Sequence, residues 1–159
     1  ANSQVNYNYN AFVYTDVFYE QHFHGNLELI YVMKGKMQLV INGKSQELLP
    51  GEMYLIFPYT IHSFVIDKHT TAWVGVFSDD FVSDFYAKNC FFVYDKFRCE
   101  KSVELFLINH LFYQGTPDRY MLKACLYLMC NECVKNAEKK QKNHDIICLT
   151  ESESGDADR

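Results

Sequence analysis

Short apolar runs separated by turn residues fill the first half of the chain, and that rhythm constrains the fold more than any other feature. Residues 12–19 (FVYTDVFY), 27–35 (LELIYVMKG), 37–41, 45–49, 53–57, 63–66 and 72–77 are rich in β-branched and aromatic side chains. In the second run Glu28, Ile30 and Val32 share one face of a strand and Leu29, Tyr31 and Met33 the other. Asn42-Gly43 is a two-residue hairpin signal, and Lys34-Gly35-Lys36, Pro50-Gly51 and Pro58 break the runs. Short strands at this spacing predict an all-β barrel or sandwich.

After residue 80 the period changes. Asp79-Asp80 can cap a short helix at 81–89. A second helix is expected from Glu100 to about Gln114, with Val103, Phe106, Leu107, His110 and Leu111 on one face. Thr116-Pro117-Asp118 opens a third, running to about Lys142, with lysines at its C-terminal end. The expected division is a barrel over 1–98, a helical dimerisation segment over 99–142 and an acidic linker or tail over 143–159. The stripe Leu122, Leu126, Met129 and Cys133 is the candidate dimerisation surface.

Net charge is -5, which argues against a free-standing nucleic-acid binder. No run reaches the length of a membrane span, and the N-terminal residues lack the charge and apolar core of a signal peptide. The six cysteines are Cys90, Cys99, Cys125, Cys130, Cys133 and Cys148. They fall on apolar or helix-like segments and read as free thiols of a reducing cytoplasm. Cys125-x4-Cys130-x2-Cys133 echoes an iron–sulfur spacing, but an apolar helical run carries it, and buried small side chains are the simpler reading.

The chemistry concentrates in His22, His24, Glu28 and His62. His22 and His24 lie two apart and share a strand face, and Glu28 keeps that parity. His62 follows the turn at Pro58-Tyr59 and can arrive from a neighbouring strand. Three imidazoles and a carboxylate suit Zn, Fe, Mn or Ni with open positions. The same four can instead be polar lining of a cavity, with no cofactor.

His22-x-His24-x3-Glu28-x6-Gly35 resembles the first cupin motif, with Asp16 where that motif opens on glycine. The second motif is altered: Thr60 replaces a glycine, and the approach from Pro58 to His62 is one residue short. That shortened form, together with Glu28–Gly35 and Leu48–Ile56, resembles the N-terminal effector-binding domains of AraC-family transcription regulators. The resemblance implies a double-stranded β-helix (cupin, jelly-roll) barrel that binds a small effector, a helical segment that dimerises, and no catalysis. It implies DNA contact only through a C-terminal domain outside these residues, to which 143–159 would lead. Expected pocket residues are His22, His24, Glu28, Ile30, Gln38, Tyr54, His62, Phe64 and Trp73, with Val32 and Val40 as further inward positions. Aromatic faces with a few polar groups suit a sugar or a small aromatic effector. The alternative is a stand-alone metal-dependent cupin, an isomerase or dioxygenase.

Overall fold

The computed structural model describes residues 8–113, 115 and 117–142. The tail over 143–159, with His144 and Cys148, lies outside the described residues. Eight strands form the barrel: β1 (Tyr9–Tyr14), β2 (Val17–His22), β3 (Leu27–Lys34), β4 (Met37–Ile41), β5 (Lys44–Leu48), β6 (Met53–Ile56), β7 (His62–Ile66) and β8 (Thr71–Phe77). They make two antiparallel four-stranded sheets, ordered β1-β8-β3-β6 and β2-β7-β4-β5. Apart from the β4–β5 hairpin, successive strands alternate between the two sheets, which is the double-stranded β-helix expected from the sequence.

Left-handed backbone makes the corners. Asn42 (φ 49°) and Gly43 (φ 81°) form the β4–β5 hairpin with both central residues at positive φ. Asp16 (φ 54°) corrects the expected single strand at 12–19. Its backbone turns the chain from β1, paired with β8, to β2, paired with β7. Asp tolerates this conformation because its short polar side chain can bond locally. Asp16 therefore does the conformational work of the glycine it replaces.

Two cores flank the first sheet. Inside the barrel, Ile30, Val32, Met37, Leu39, Ile66 and Val74 pack between the sheets. Outside, Leu27, Leu29, Tyr31, Trp73 and Phe77 pack under the helical segment. That segment opens with a 3-10 turn, Asp79–Val82, in which the Ser78 hydroxyl accepts from the Asp80 amide at 3.3 Å. Helix α1 (Ser83–Asn89), strand β9 (Phe92–Tyr94) and helix α2 (Lys101–Leu107) follow. A π-helical turn, Ile108–Phe112, continues α2, so the expected second helix is regular only over its first half. Helix α3 (Arg119–Asn136) is capped by Asp118, whose side chain accepts from the Met121 amide at 2.9 Å.

Helix α3 stops six residues before the expected Lys142. Ala137 is extended (ψ 140°), and Lys139–Gln141 forms β10 against β9. Lys139 and Lys140 thus belong to a strand, and only Lys135 stands in the last helical turn. The expected dimerisation stripe is also corrected. Leu122, Leu126, Met129 and Cys133 are at most 3% exposed and sit in the core with Leu27, Leu29 and Trp73. An apolar stripe this complete follows from burial against the chain's own sheet, and none of it remains for a partner.

Two glycine substitutions separate backbone strain from steric conflict. A Cβ at Gly35 (φ 79°) would lie 2.5 Å from Thr70 Oγ1 and 2.7 Å from the His69 carbonyl. Thr70 cannot yield, because its hydroxyl donates to the Lys36 carbonyl and accepts from the Lys36 amide. Gly35→Ala should cost about 3 kcal/mol or more in urea unfolding. Gly43 has a similar φ but nothing within 4 Å, so Gly43→Ala should cost about 1 kcal/mol.

Candidate functional site

His22 ends β2, His62 begins β7, and the two are direct cross-strand partners beyond a register shift in β2. Glu28 stands on β3 in the opposite sheet, with its side chain inside the barrel, and His24 lies on the β2–β3 connection. One ligand atom from each of the four lies within 4.8 Å of the others.

Hydrogen bonds fix which nitrogens carry protons. His22 Nδ1 lies 2.7 Å from the Glu20 carbonyl and His62 Nδ1 lies 2.7 Å from the Thr60 carbonyl. A carbonyl only accepts, so each Nδ1 donates, and each neutral ring keeps a bare lone pair at Nε2. His24 differs, because its Nδ1 accepts from the Asn26 amide at 3.4 Å and its proton sits on Nε2. His62 Nε2 meets Glu28 Oε2 at 2.8 Å, and His24 Nε2 lies 3.8 Å from Glu28 Oε1. None of His24 Nε2, Glu28 Oε2 and His62 Nε2 has a hydrogen bond of acceptable geometry, although all three are buried.

With His62 neutral, Glu28 and His62 would face each other as a carboxylate and a lone pair; a proton on His62 Nε2 makes the 2.8 Å contact a charge-assisted hydrogen bond. Burial pushes the Glu28 carboxyl up, but hydrogen bonding and charge from His24 and His62 together overcome it and hold the pKa at about 2. Burial pushes His62 down, and the Glu28 carboxylate more than offsets this, so its pKa lies above the ordinary 6.5. Either a proton on His62 or a cation between the groups satisfies the pair. The donor set fits a divalent ion: bare Nε2 on His22 and His62 and an ionised carboxylate, with His24 needing to move its proton to Nδ1.

A cavity of about 230 Å³ opens beside the cluster. His22, His24 and Glu28 form its polar end, Phe12, Tyr14, Tyr19, Phe64, Val74 and Val76 its walls, and Asn10 adds a polar side chain. The Tyr14 and Tyr19 hydroxyls are 2.9 Å apart, and the Tyr19 ring lies 4.8 Å from Phe64.

The structure brings together His22, His24, Glu28, His62 and Phe64 as expected. Ile30 and Val32 are inside the barrel but wholly enclosed in its core. Tyr54 is also enclosed there, and it borders a separate cavity of about 40 Å³ beside Phe57 and Lys142. Gln38 is a correction: it is exposed on the outer face and donates to Glu47 Oε2 at 2.9 Å. Val40 shares that outer parity. Trp73 is another, since it faces the helices with its ring 4.9 Å from Phe112. Both faces of β8 are buried, so hydrophobicity alone could not assign Trp73 to one of them. The alternation Asn10, Phe12, Tyr14 was the available signal for the missed wall. Reading 12–19 as one strand hid it, because a continuous strand puts Tyr14 and Tyr19 on opposite faces.

Other sequence candidates contribute no site. Cys125, Cys130 and Cys133 lie buried in α3, where burial raises Cys125 to about 11 and Cys133 to about 12, leaving neutral thiols unsuited to cluster ligation. His110 is half-exposed in the π-helical turn, its ring 4.3 Å from Phe106. Among the described residues, no helix is long and apolar enough to cross a membrane.

A family model for the AraC-like ligand binding domain matches residues 11–76. The matched span runs from within β1 to within β8 and contains all four cluster residues. Comparison with curated protein sequences gives no match. Solved structures similar over part of the chain include protein NMB1881 from Neisseria meningitidis (17% identity, 46% of this chain, 78% of that chain, TM-score 0.40). KdgF from Halomonas sp. aligns at 19% identity over 46% of this chain and 74% of its own (TM-score 0.40). An oxalate decarboxylase variant from Bacillus subtilis aligns at 18% identity over 47% of this chain but only 22% of its own (TM-score 0.39).

The coupling of Glu28 and His62 sets a pH dependence. In chelator-treated protein, the His62 ring should titrate above 6.5 by NMR, and in Glu28→Gln below 6.5, because burial is then opposed only by the smaller effect of the Thr60 carbonyl hydrogen bond. His62 adds stability that is complete below 6.5 and lost as pH rises through its folded pKa; Glu28 adds stability present above 4.5 and lost as pH falls toward about 2. Wild-type unfolding free energy should therefore decline as pH rises past 6.5, and Glu28→Gln should not show that decline. Equal His62 midpoints in the two proteins would contradict the coupling.

Proposed function

We infer that this chain, matched over residues 11–76 by the AraC-like ligand binding domain, is the effector-sensing and dimerisation part of a transcription regulator and not a catalyst. The observation that carries the reading is the cavity of about 230 Å³, which joins an aromatic wall to a buried, unsatisfied polar cluster within the matched barrel. An effector seated there would shift a population of dimer arrangements, and DNA contact would come through a further domain.

A second copy is proposed to dock on the outward face of α3, opposite the buried stripe. Tyr120, Ala124, Tyr127, Asn131 and Val134 recur there at alternating steps of four and three, all exposed. That spacing is a coiled-coil seam, with one polar position at Asn131 of the kind that fixes register. A groove of about 240 Å³ lined by Phe85, Lys88, Tyr127 and Val134 runs beside it.

The alternative of a metal-dependent isomerase or dioxygenase is favoured by one observation, the three buried unpaired atoms of His24, Glu28 and His62. His22, His24, Glu28 and His62 would hold a divalent ion, which when bound would polarise a substrate oxygen. Metal analysis of protein purified without chelator tests this: a stoichiometric ion supports the alternative, and its absence removes it.

Light scattering tests the dimer. Wild type should be a dimer at micromolar concentration, and Tyr127→Asp a monomer with unchanged circular dichroism. Leu126→Asp should unfold instead, because Leu126 is fully buried. A monomeric wild type would contradict the assignment.

A further inference from the structure

The effector's chemical class follows from where the cavity is polar and where it is not, on the reading that the cavity is the effector site. Strand register sorts the lining into rows. In the first sheet Asn10, Val76 and Glu28 stand side by side on β1, β8 and β3, and Phe12, Val74 and Ile30 form the next inward row. In the second sheet His22 ends β2, and the cross-strand pair behind it is Tyr19 with Phe64. Successive inward residues of a strand lie about 7 Å apart. Tyr14 stands one row beyond Phe12, and its hydroxyl meets the Tyr19 hydroxyl at 2.9 Å. Among the described lining residues, polar groups therefore occupy the two ends, and Phe12, Phe64 and Val74 fill the middle.

This layout separates a sugar from an aromatic ring. A sugar carries hydroxyls around its whole ring, and those level with Phe12, Phe64 and Val74 would lose water without gaining a partner. An aromatic ring carries none there. Its faces and edges match the Tyr19 and Phe64 rings, which already lie 4.8 Å apart. Substituents on opposite corners of such a ring reach toward both polar ends.

The tyrosine end is itself incomplete. Each phenol has one proton and can also accept. The contact between Tyr14 and Tyr19 uses one of the two protons, so one O–H and lone pairs on both oxygens are left over. A ligand hydroxyl can accept from that O–H and donate to the neighbouring oxygen at once, whereas a methyl group can do neither.

We propose that the effector is a single-ring aromatic compound with a hydroxyl on the ring, which sits among Phe12, Phe64 and Val74 while its hydroxyl completes the Tyr14–Tyr19 pair. A second polar substituent faces Asn10 and His22. Tyr14 and Tyr19 are then the residues that set specificity, and the match needs no particular protonation of His22, His24 or Glu28. This chooses the aromatic over the sugar expectation.

The test is calorimetric titration of the 159-residue chain with three neutral probes: 4-hydroxybenzyl alcohol, 4-methylbenzyl alcohol, in which a methyl group replaces the ring hydroxyl, and D-xylose. The hydroxyl probe should bind about tenfold or more tightly than the methyl probe, and xylose should not bind. Tyr14→Phe combined with Tyr19→Phe should bring the two aromatic probes within about threefold of each other by weakening only the hydroxyl probe. In wild type, nuclear Overhauser contacts from the probe's ring protons to the Val74 methyls and the Phe64 ring keep the test decisive if the double variant fails to fold. Equal binding of the two aromatic probes, xylose binding as tight as theirs, absence of those contacts, or a hydroxyl preference that survives in the double variant overturns the class while the sensory reading stands. Failure of all three probes overturns the class too, and a stoichiometric metal ion in the same protein would remove the sensory reading with it.

Discussion

Strand β3 is buried on both faces, and every functional feature of the molecule is arranged around that strand. Its even positions, Glu28, Ile30 and Val32, enter the barrel; its odd positions, Leu27, Leu29 and Tyr31, carry the helical segment. A slip of one residue would place the carboxylate under the helices and a leucine in the cluster, so the register is strongly held by burial on each side. The cost of burying Glu28 is met locally by His24 and His62, and the surrounding apolar packing holds those groups at distances that solvent-exposed side chains would relax.

The same strand connects the cavity to the helices. Three residues beyond Glu28, the Tyr31 ring stacks on Phe112 at 4.2 Å and 13°, and its hydroxyl donates to Glu104 Oε2 at 3.1 Å. Phe112 ends the π-helical turn and also meets Trp73, the edge-on neighbour from β8. Farther along, Glu132 is a buried carboxylate on α3 that accepts from the Glu100 amide at 3.1 Å, and this ties the start of α2 to α3. A change in how Glu28 is satisfied therefore has a short, packed route to α2 and α3.

Much of this was legible in the residues, for identifiable reasons. The Asn42-Gly43 hairpin, the alternation in β3 and the convergence of His22, His24, Glu28 and His62 rest on backbone periodicity and turn chemistry, which are local. Parity failed where both faces of an element are buried: β8 hides Trp73 among apolar neighbours, and a uniformly apolar stripe on α3 does not say whether its cover is the chain's own barrel or a partner. Asp16 concealed a corner because only its backbone, not its side-chain type, marks the turn. Gln38 alternates with the inward Met37, Leu39 and Ile41, a parity that its polar chemistry does not reveal. Strands β9 and β10 are three residues each and pair across the whole helical segment, so nothing local signals them.

The central claim is that a small molecule seated beside Glu28 and His62 is felt across β3. NMR chemical-shift mapping during titration with small ring compounds of negative, zero and positive charge tests it most directly. The account predicts shifts at the Val74 and Val76 methyls and the His22 ring, accompanied by a shift of the Trp73 indole, which lies outside the cavity on the opposite face of the sheet. Shifts confined to surface residues such as Val13 and Tyr113, with Val74, Val76 and His22 unmoved, would contradict it.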